Sequence, residues 1–180
     1  MNLTNFFACP KCKGNLINNV ISYSCNLCEE TYSIEADIPI FLTGVKTDVY
    51  SDYWNQGWQD RFDNGDMFFH KQSKEEYYEI VVNRLKQSEQ LQTPITSLTV
   101  QQENQSVLNI GCGLNESSLI TMMGVNNYIG IDYSFSAAKY SLDGIQKLNG
   151  HGITIQANAE NLPIKSKSIS QVFSNGVLHH

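Results

Sequence analysis

The 180-residue sequence predicts an α/β protein: an open, doubly wound parallel sheet of about four strands behind a small N-terminal module. Three observations predict it. From Ser106 onward, short apolar runs alternate with helical ones. VLNIGCGLNESSL, residues 107 to 119, reads as a buried strand, a glycine turn and a helix start. Four of the five cysteines fall in two C-x-x-C pairs near the N-terminus.

The alternation is taken element by element. Val107 to Ile110 forms a first short strand, and Glu116 to Met123 a helix stopped by Gly124. Tyr128 to Ile131 is the next strand, and Ser134 caps a helix running to about Leu148, before Asn149-Gly150. Ile153 to Gln156 and Ile169 to Ser174 supply two more strands. Strands separated by helices pair in parallel, which gives a Rossmann-like sheet over residues 106–180.

Upstream, residues 46–105 read as an aromatic and helical connection, a lid or linker. Trp54, Trp58 and Phe62 are four apart and share a helix face. That face either packs on the main domain or covers a ligand. Ser73-Lys74-Glu75-Glu76 fits a capping box that opens a helix to about Leu91, with Tyr77, Tyr78, Val81, Val82 and Leu85 on its apolar side. QTPITSLTVQQENQS, after it, reads as a loop. His70 reads as a surface histidine.

Composition narrows the function. Net charge is −6 and the twelve Lys and Arg are scattered, so a protein living on phosphate contacts is disfavoured. No apolar run spans a bilayer, and the first residues lack the pattern of a secretory signal. The expected compartment is the cytoplasm, with no membrane partner.

Cys9-Pro10-Lys11-Cys12 and Cys25-Asn26-Leu27-Cys28 lie twelve residues apart, within residues 1–45. Each turn points two sulfurs at one spot, and together Cys9, Cys12, Cys25 and Cys28 offer a tetrahedral thiolate set for structural zinc. Gly14 permits the tight turn, and Lys11 and Lys13 would offset the thiolate charge. Disulfides would need an oxidising compartment, and a redox pair would be single. Alternating residues at 31–34 and 37–42 read as short strands over the metal. CPKCKGNL and YSCNLCEETYSIEADIPIFL resemble the zinc ribbons of methyltransferase activators and of ribbons fused in front of bacterial methyltransferases.

In the C-terminal part, Gly111 and Gly113 let the backbone approach a ligand, and Asp132 is placed to accept from ribose hydroxyls. Glycine turn plus acid fits a dinucleotide or S-adenosylmethionine equally. ANAENLPIKSKSISQVFSNGVLHH, with VLNIGCG and YIGIDYS before it, resembles class I S-adenosylmethionine-dependent methyltransferases of the small-molecule type. The resemblance implies Asn109, Gly111, Gly113, Asp132, Tyr133, Asn158, Ala159, Glu160 and Asn175 as cofactor-binding residues, the A-x-A-E-x-L-P turn covering the adenine. It implies Asn175, His179 and His180 beside the acceptor, either histidine able to serve as base. Cys112 reads as a small buried residue.

The resembled family usually has an acid at Asn109, glycine at Asn115, and Asp at Asn158 and Ser170. Two lost charge-assisted contacts would weaken the cofactor roughly tenfold to a thousandfold. The resembled sheet has seven strands, whereas this sequence ends after the fourth, so an apolar edge is expected that a second chain, like or unlike, would complete. The leading function is methyl transfer to a small-molecule acceptor, with truncation of the chain left open. A catalytically inactive zinc-ribbon scaffold and an RNA methyltransferase stay open beside it.

Overall fold

The computed structural model describes residues 3–42, 49–63, 73–98, 105–113 and 116–177. Two four-stranded sheets organise them. The first is antiparallel, with β1 (Leu16–Asn18), β2 (Ser22–Cys25), β3 (Thr31–Glu35) and β4 (Ile38–Pro39) in sequence order. Sequence patterning marks β3 and β4; the first hairpin, β1 and β2, carries no alternation strong enough to mark it.

The second sheet is parallel, in the order β7-β6-β5-β8. Its strands are β5 (Ser106–Ile110), β6 (Asn127–Asp132), β7 (Gly152–Gln156) and β8 (Gln171–Ser174). Helices α3 (Glu116–Met122) and α4 (Phe135–Lys147) connect them, as the alternation predicts. This is a Rossmann-like α/β architecture. Gly124, at φ +87, ends α3 in the left-handed region that glycine enters without strain. Ser134 caps α4, its hydroxyl accepting from the Ala137 N–H at 3.2 Å.

Upstream stand α1 (Val49–Asp63) and α2 (Lys74–Leu91). The capping box is present in both directions: Ser73 Oγ accepts from Glu76 N at 3.2 Å, and Glu76 Oε2 accepts from Ser73 N at 2.9 Å. Tyr77 and Val81 are buried, but Tyr78 is 52% exposed, so the apolar stripe of α2 is narrower than the sequence suggests. The stretch after α2 is not wholly a loop. It holds a 3-10 turn, Pro94–Ser97, and sends Ile95 and Leu98 into the core.

The parallel sheet alternates its side chains between two apolar layers, as strand geometry requires. On one face Val107 and Tyr128 meet Tyr77, Val81, Ile120 and Ile145 from the helices. On the other, Leu108, Ile129, Ile131 and Ile155 meet Phe7, Tyr23, Tyr32 and Phe41 of the N-terminal module. That module therefore serves as the sheet's second covering layer. Phe41 sits edge-on to Phe7 at 5.3 Å and to Tyr32 at 5.2 Å.

Backbone bonds join the two parts. Phe41 N donates to Gln156 O at 2.8 Å, which extends the sheet past β7. Ala8 N donates to Pro163 O at 3.0 Å and Lys165 N to Phe6 O at 2.8 Å. The opposite edge is β8, where Val172 is 59% exposed. Among the described residues, no helix is long and apolar enough to cross a membrane.

Candidate functional site

The carboxyl ends of the four parallel strands enclose a cavity of about 400 Å³, within the usual range of roughly 300–1,000 Å³ for small-molecule sites. Each strand contributes to it. β5 leads into Ile110, Gly111 and Gly113; β6 ends at Ile131, Asp132 and Tyr133; β7 leads into Ala157 and Ala159; β8 leads into Asn175, Gly176 and Val177.

The glycine turn is clamped by Asp132. Gly113 N donates to Asp132 Oδ2 at 3.0 Å, and Ser134 N donates to Oδ1 at 2.9 Å. Gly111 and Cys112 both donate to the Ile131 carbonyl, at 2.7 and 2.9 Å. Burial raises the Asp132 carboxyl above its ordinary range, against the pull of the Ser134, Gly113 and Tyr133 N–H groups. Each oxygen retains a lone pair for a ligand hydroxyl.

The two glycines have different reasons to be glycine. Gly111 has φ +70, and a Cβ there would stand 2.0 Å from a methyl of Val177. Gly113 has φ +47, and its Cβ position faces the cavity, 3.9 Å from Glu116 Oε2 and from the Trp58 ring. A side chain at either would intrude on the turn or on the space it lines.

Helix α1 closes the cavity from above. Trp54 and Trp58, one turn apart and on the face that the sequence marks as packing on the domain or covering a ligand, line it. The adjacent face of α1 is tied to α4. Asn55 Oδ1 accepts from Ser134 Oγ at 2.8 Å and from Ser136 N at 3.3 Å, and Gln59 Oε1 accepts from the Tyr140 hydroxyl at 3.0 Å. The side chain of Phe62, and His70, lie outside the described residues.

Of the residues expected at the site, the cavity gathers Gly111, Gly113, Asp132, Tyr133, Ala159 and Asn175. Three stand elsewhere. Asn109 is fully buried on the helix side of the sheet, its Nδ2 donating to the Tyr128 hydroxyl at 3.1 Å. Residue 109 therefore makes no direct contact with the cavity, whether acid or amide. Asn158 caps the 3-10 turn Ala159–Asn161, its Oδ1 accepting from Glu160 N at 2.8 Å, and neither Asn158 nor Glu160 lines the cavity. Asn115, His179 and His180 lie outside the described residues.

Glu116 is a cavity residue that sequence reasoning missed. Its Oε1 accepts from Asn175 Nδ2 at 3.1 Å, a bond between the start of α3 and the end of β8. Burial pushes its carboxyl above the ordinary range, opposed by the Asn175 amide and assisted by the neighbouring Asp132 charge. An acid directly after the glycine turn, with no basic residue a helical turn away, was the available signal.

The second constellation is the cysteine cluster. Cys9, Cys12, Cys25 and Cys28 bring their sulfurs within 4.8 Å of one another. Sulfur pairs stand 3.7 Å apart for Cys9 and Cys28, and 3.4 Å for Cys12 with Cys25 and with Cys28. A zinc–sulfur bond of about 2.3 Å sets a tetrahedral edge of about 3.8 Å, so the set fits zinc with a small expansion. Gly14 N donates to Cys12 Sγ and Leu27 N to Cys25 Sγ, both at 3.4 Å, and Tyr32 places its hydroxyl 3.1 Å from Cys9 Sγ. The N–H groups of Cys28 and Leu27 outweigh burial and lower the Cys25 thiol to about 6.

Two details differ from expectation. Lys13, at φ +61, carries the left-handed turn, while Gly14 is required because a Cβ there would stand 2.9 Å from Cys25 Sγ. The lysines do not face the thiolates as their main partners. Lys11 pairs with Glu30 at 2.7 Å, and Lys13 donates to the Leu162 carbonyl at 2.8 Å.

Fold and cavity together define a Rossmann-like protein with a cavity at the carboxyl ends of its parallel strands, the place where open sheets of this kind bind their ligands. Residues 108–180 match the family model of a methyltransferase domain. The match supports a class I S-adenosylmethionine-dependent methyltransferase domain over that stretch, whose usual cofactor is S-adenosylmethionine. No curated protein matches the chain.

Proposed function

We propose that this protein is a S-adenosylmethionine-dependent methyltransferase for a small-molecule acceptor, built on a structural zinc ribbon. One observation carries the reading: a glycine turn clamped by Asp132 opens onto a tryptophan-covered cavity within the stretch that matches a methyltransferase domain.

S-adenosylmethionine supplies a methyl group on a sulfonium, open to in-line displacement. The chain's part is to bind and align. Asp132 accepts from ribose hydroxyls, and Tyr133, Ala157 and Ala159 receive the adenosine end. Gly113 allows close approach of the turn. Trp54 and Trp58 exclude water and bring the acceptor near, which is most of what such a displacement needs. Asn175 stands on the acceptor side, and His179 and His180, a few residues on, are assigned as base where the acceptor must lose a proton.

The acidic net charge, and a cavity lining with no basic residue among the described residues, favour a small acceptor over RNA. Cys9, Cys12, Cys25 and Cys28 would hold zinc with no open coordination position, so the metal is structural. The cytoplasm, where thiolates stay available to zinc, is the compartment this reading implies.

Calorimetric titration of S-adenosylmethionine into the zinc-loaded chain tests the proposal. Saturable binding that Asp132→Ala abolishes supports it. No binding at millimolar ligand by a folded chain overturns it in favour of a scaffold.

A further inference from the structure

Among the described residues the cavity carries two charged side chains, Asp132 and Glu116, and both are acids. Asp132 accepts from the Gly113 and Ser134 amides, one on each oxygen, and so belongs to the turn. Glu116 does not. Its carboxylate takes only neutral donors, Asn175 Nδ2 at Oε1 and its own backbone N–H, and its Oε2 lies 3.9 Å from where a Cβ of Gly113 would stand. Among the described residues no Lys, Arg or His pairs with it. A partly buried carboxylate beside a second one, with no cation supplied by the described residues, is complementary to a cation that arrives with a ligand.

Strand order says which cation. The cavity crosses the sheet from the end of β7, with Ala157 and Ala159, past Asp132 at β6, to the ends of β5 and β8. Glu116 and Asn175 bridge those last two strands. A ligand with its ribose on Asp132 and adenine toward β7 therefore extends its amino-acid end toward Glu116. We infer that Glu116, held by Asn175, recognises the ammonium of the cofactor's methionine end. The inference rests on the proposed function and adds a specificity-determining residue to it. It makes the site selective for ligands with an amino-acid tail over plain adenosine thioethers.

The test titrates three probes, S-adenosylmethionine, S-adenosylhomocysteine and 5′-methylthioadenosine, into the zinc-loaded full chain. The last lacks both ammonium and carboxylate, whereas the second keeps them and lacks the sulfonium. In Glu116→Gln, affinity for the first two is expected to fall about tenfold or more, as for a lost charge-assisted bond. Affinity for methylthioadenosine should stay within about twofold. Glu116→Asp, which keeps the charge, should recover part of the loss. An equal fall for all three probes, or no fall, overturns the inference, and a fall for S-adenosylmethionine alone moves the contact to the sulfonium and overturns it too. Failure of the unsubstituted chain to bind any probe is read separately and removes the proposed function beneath it.

Discussion

Asn109 and Tyr128 meet on the buried face of the parallel sheet, Nδ2 donating to the hydroxyl at 3.1 Å with both side chains fully buried. The two positions lie on neighbouring strands and on the same face, because Asn109 pairs with Gly130 and Tyr128 lies two residues before it. Gly130 is small for the same reason: a Cβ there would stand 3.0 Å from the Tyr128 ring. The amide where the resembled family has an acid is thus matched to a tyrosine hydroxyl beneath it.

Exchanging that amide for a carboxylate should be costly here. Asn109→Asp places an ionisable group in a fully buried position, where desolvation favours its neutral form. Its folded pKa is raised, so the penalty is absent below the unfolded value and grows as pH rises above it. Urea unfolding should show a loss of about 1–3 kcal/mol that deepens toward neutral pH. Tyr128→Phe should lose a similar about 1–3 kcal/mol without pH dependence, because it leaves a buried amide donor unpaired. Equal stability of both variants with the parent would show that the pair is not formed.

Removing zinc should unfold more than the ribbon. Phe41 is 1% exposed and packs with Phe7, Tyr23 and Tyr32 in one cluster with Leu108, Ile129 and Ile155 of the sheet. Chelation, or Cys25→Ser, should lower one shared thermal transition, with loss of sheet and ribbon signals together. Phe41→Ala, which leaves the thiolates intact, should cost about 3–5 kcal/mol through the same cluster. Two well-separated transitions would mean that the two layers do not depend on each other.

Sequence reading reached furthest where local rules decide. Strand–helix alternation, the Ser73 capping box and the Ser134 cap follow from neighbouring residues, and they fall where expected. The cysteine set is legible for the same reason, since each C-x-x-C turn is self-contained. What stayed hidden was set by distant partners. Ile95 and Leu98 sit in a polar stretch but are drawn into the helix-side core. Asn109 belongs to a motif that suggests the ligand, yet strand alternation turns it toward Tyr128. Glu116 becomes a site residue only because the end of β8 brings Asn175 against it, 59 residues away in sequence. The aromatic side of the ribbon had one readable hint: Phe7, Tyr23, Tyr32 and Phe41 are more than a module of that size buries by itself.

Ligand entry should be visible in tryptophan fluorescence. The chain has two tryptophans, Trp54 and Trp58, and both line the cavity. S-adenosylhomocysteine should change emission intensity saturably, with the affinity found by calorimetry. Asn55→Ala removes the acceptor that holds α1 to Ser134 and Ser136, so it should weaken binding by about fivefold to tenfold. An unchanged affinity would mean that the position of α1 does not matter to the site.

Binding should also strengthen with pH. Burial raises the Glu116 carboxyl above its ordinary 4.5, and among the described residues Asp132 is the charged group that faces it. A carboxyl raised in this way costs stability once ionised, so the unliganded chain gains stability from Glu116 at low pH and loses it as pH rises through the raised value. A ligand ammonium prefers the ionised form and reverses that cost. The affinity for S-adenosylhomocysteine should therefore climb as pH rises from 4.5 through the raised value and then level off. Glu116→Gln should flatten this climb, leaving the weaker contribution of Asp132. Titrations on either side of the raised value, run in parallel on both proteins, measure it. A climb of equal size in the two would assign the effect to Asp132 alone and take Glu116 out of ligand recognition.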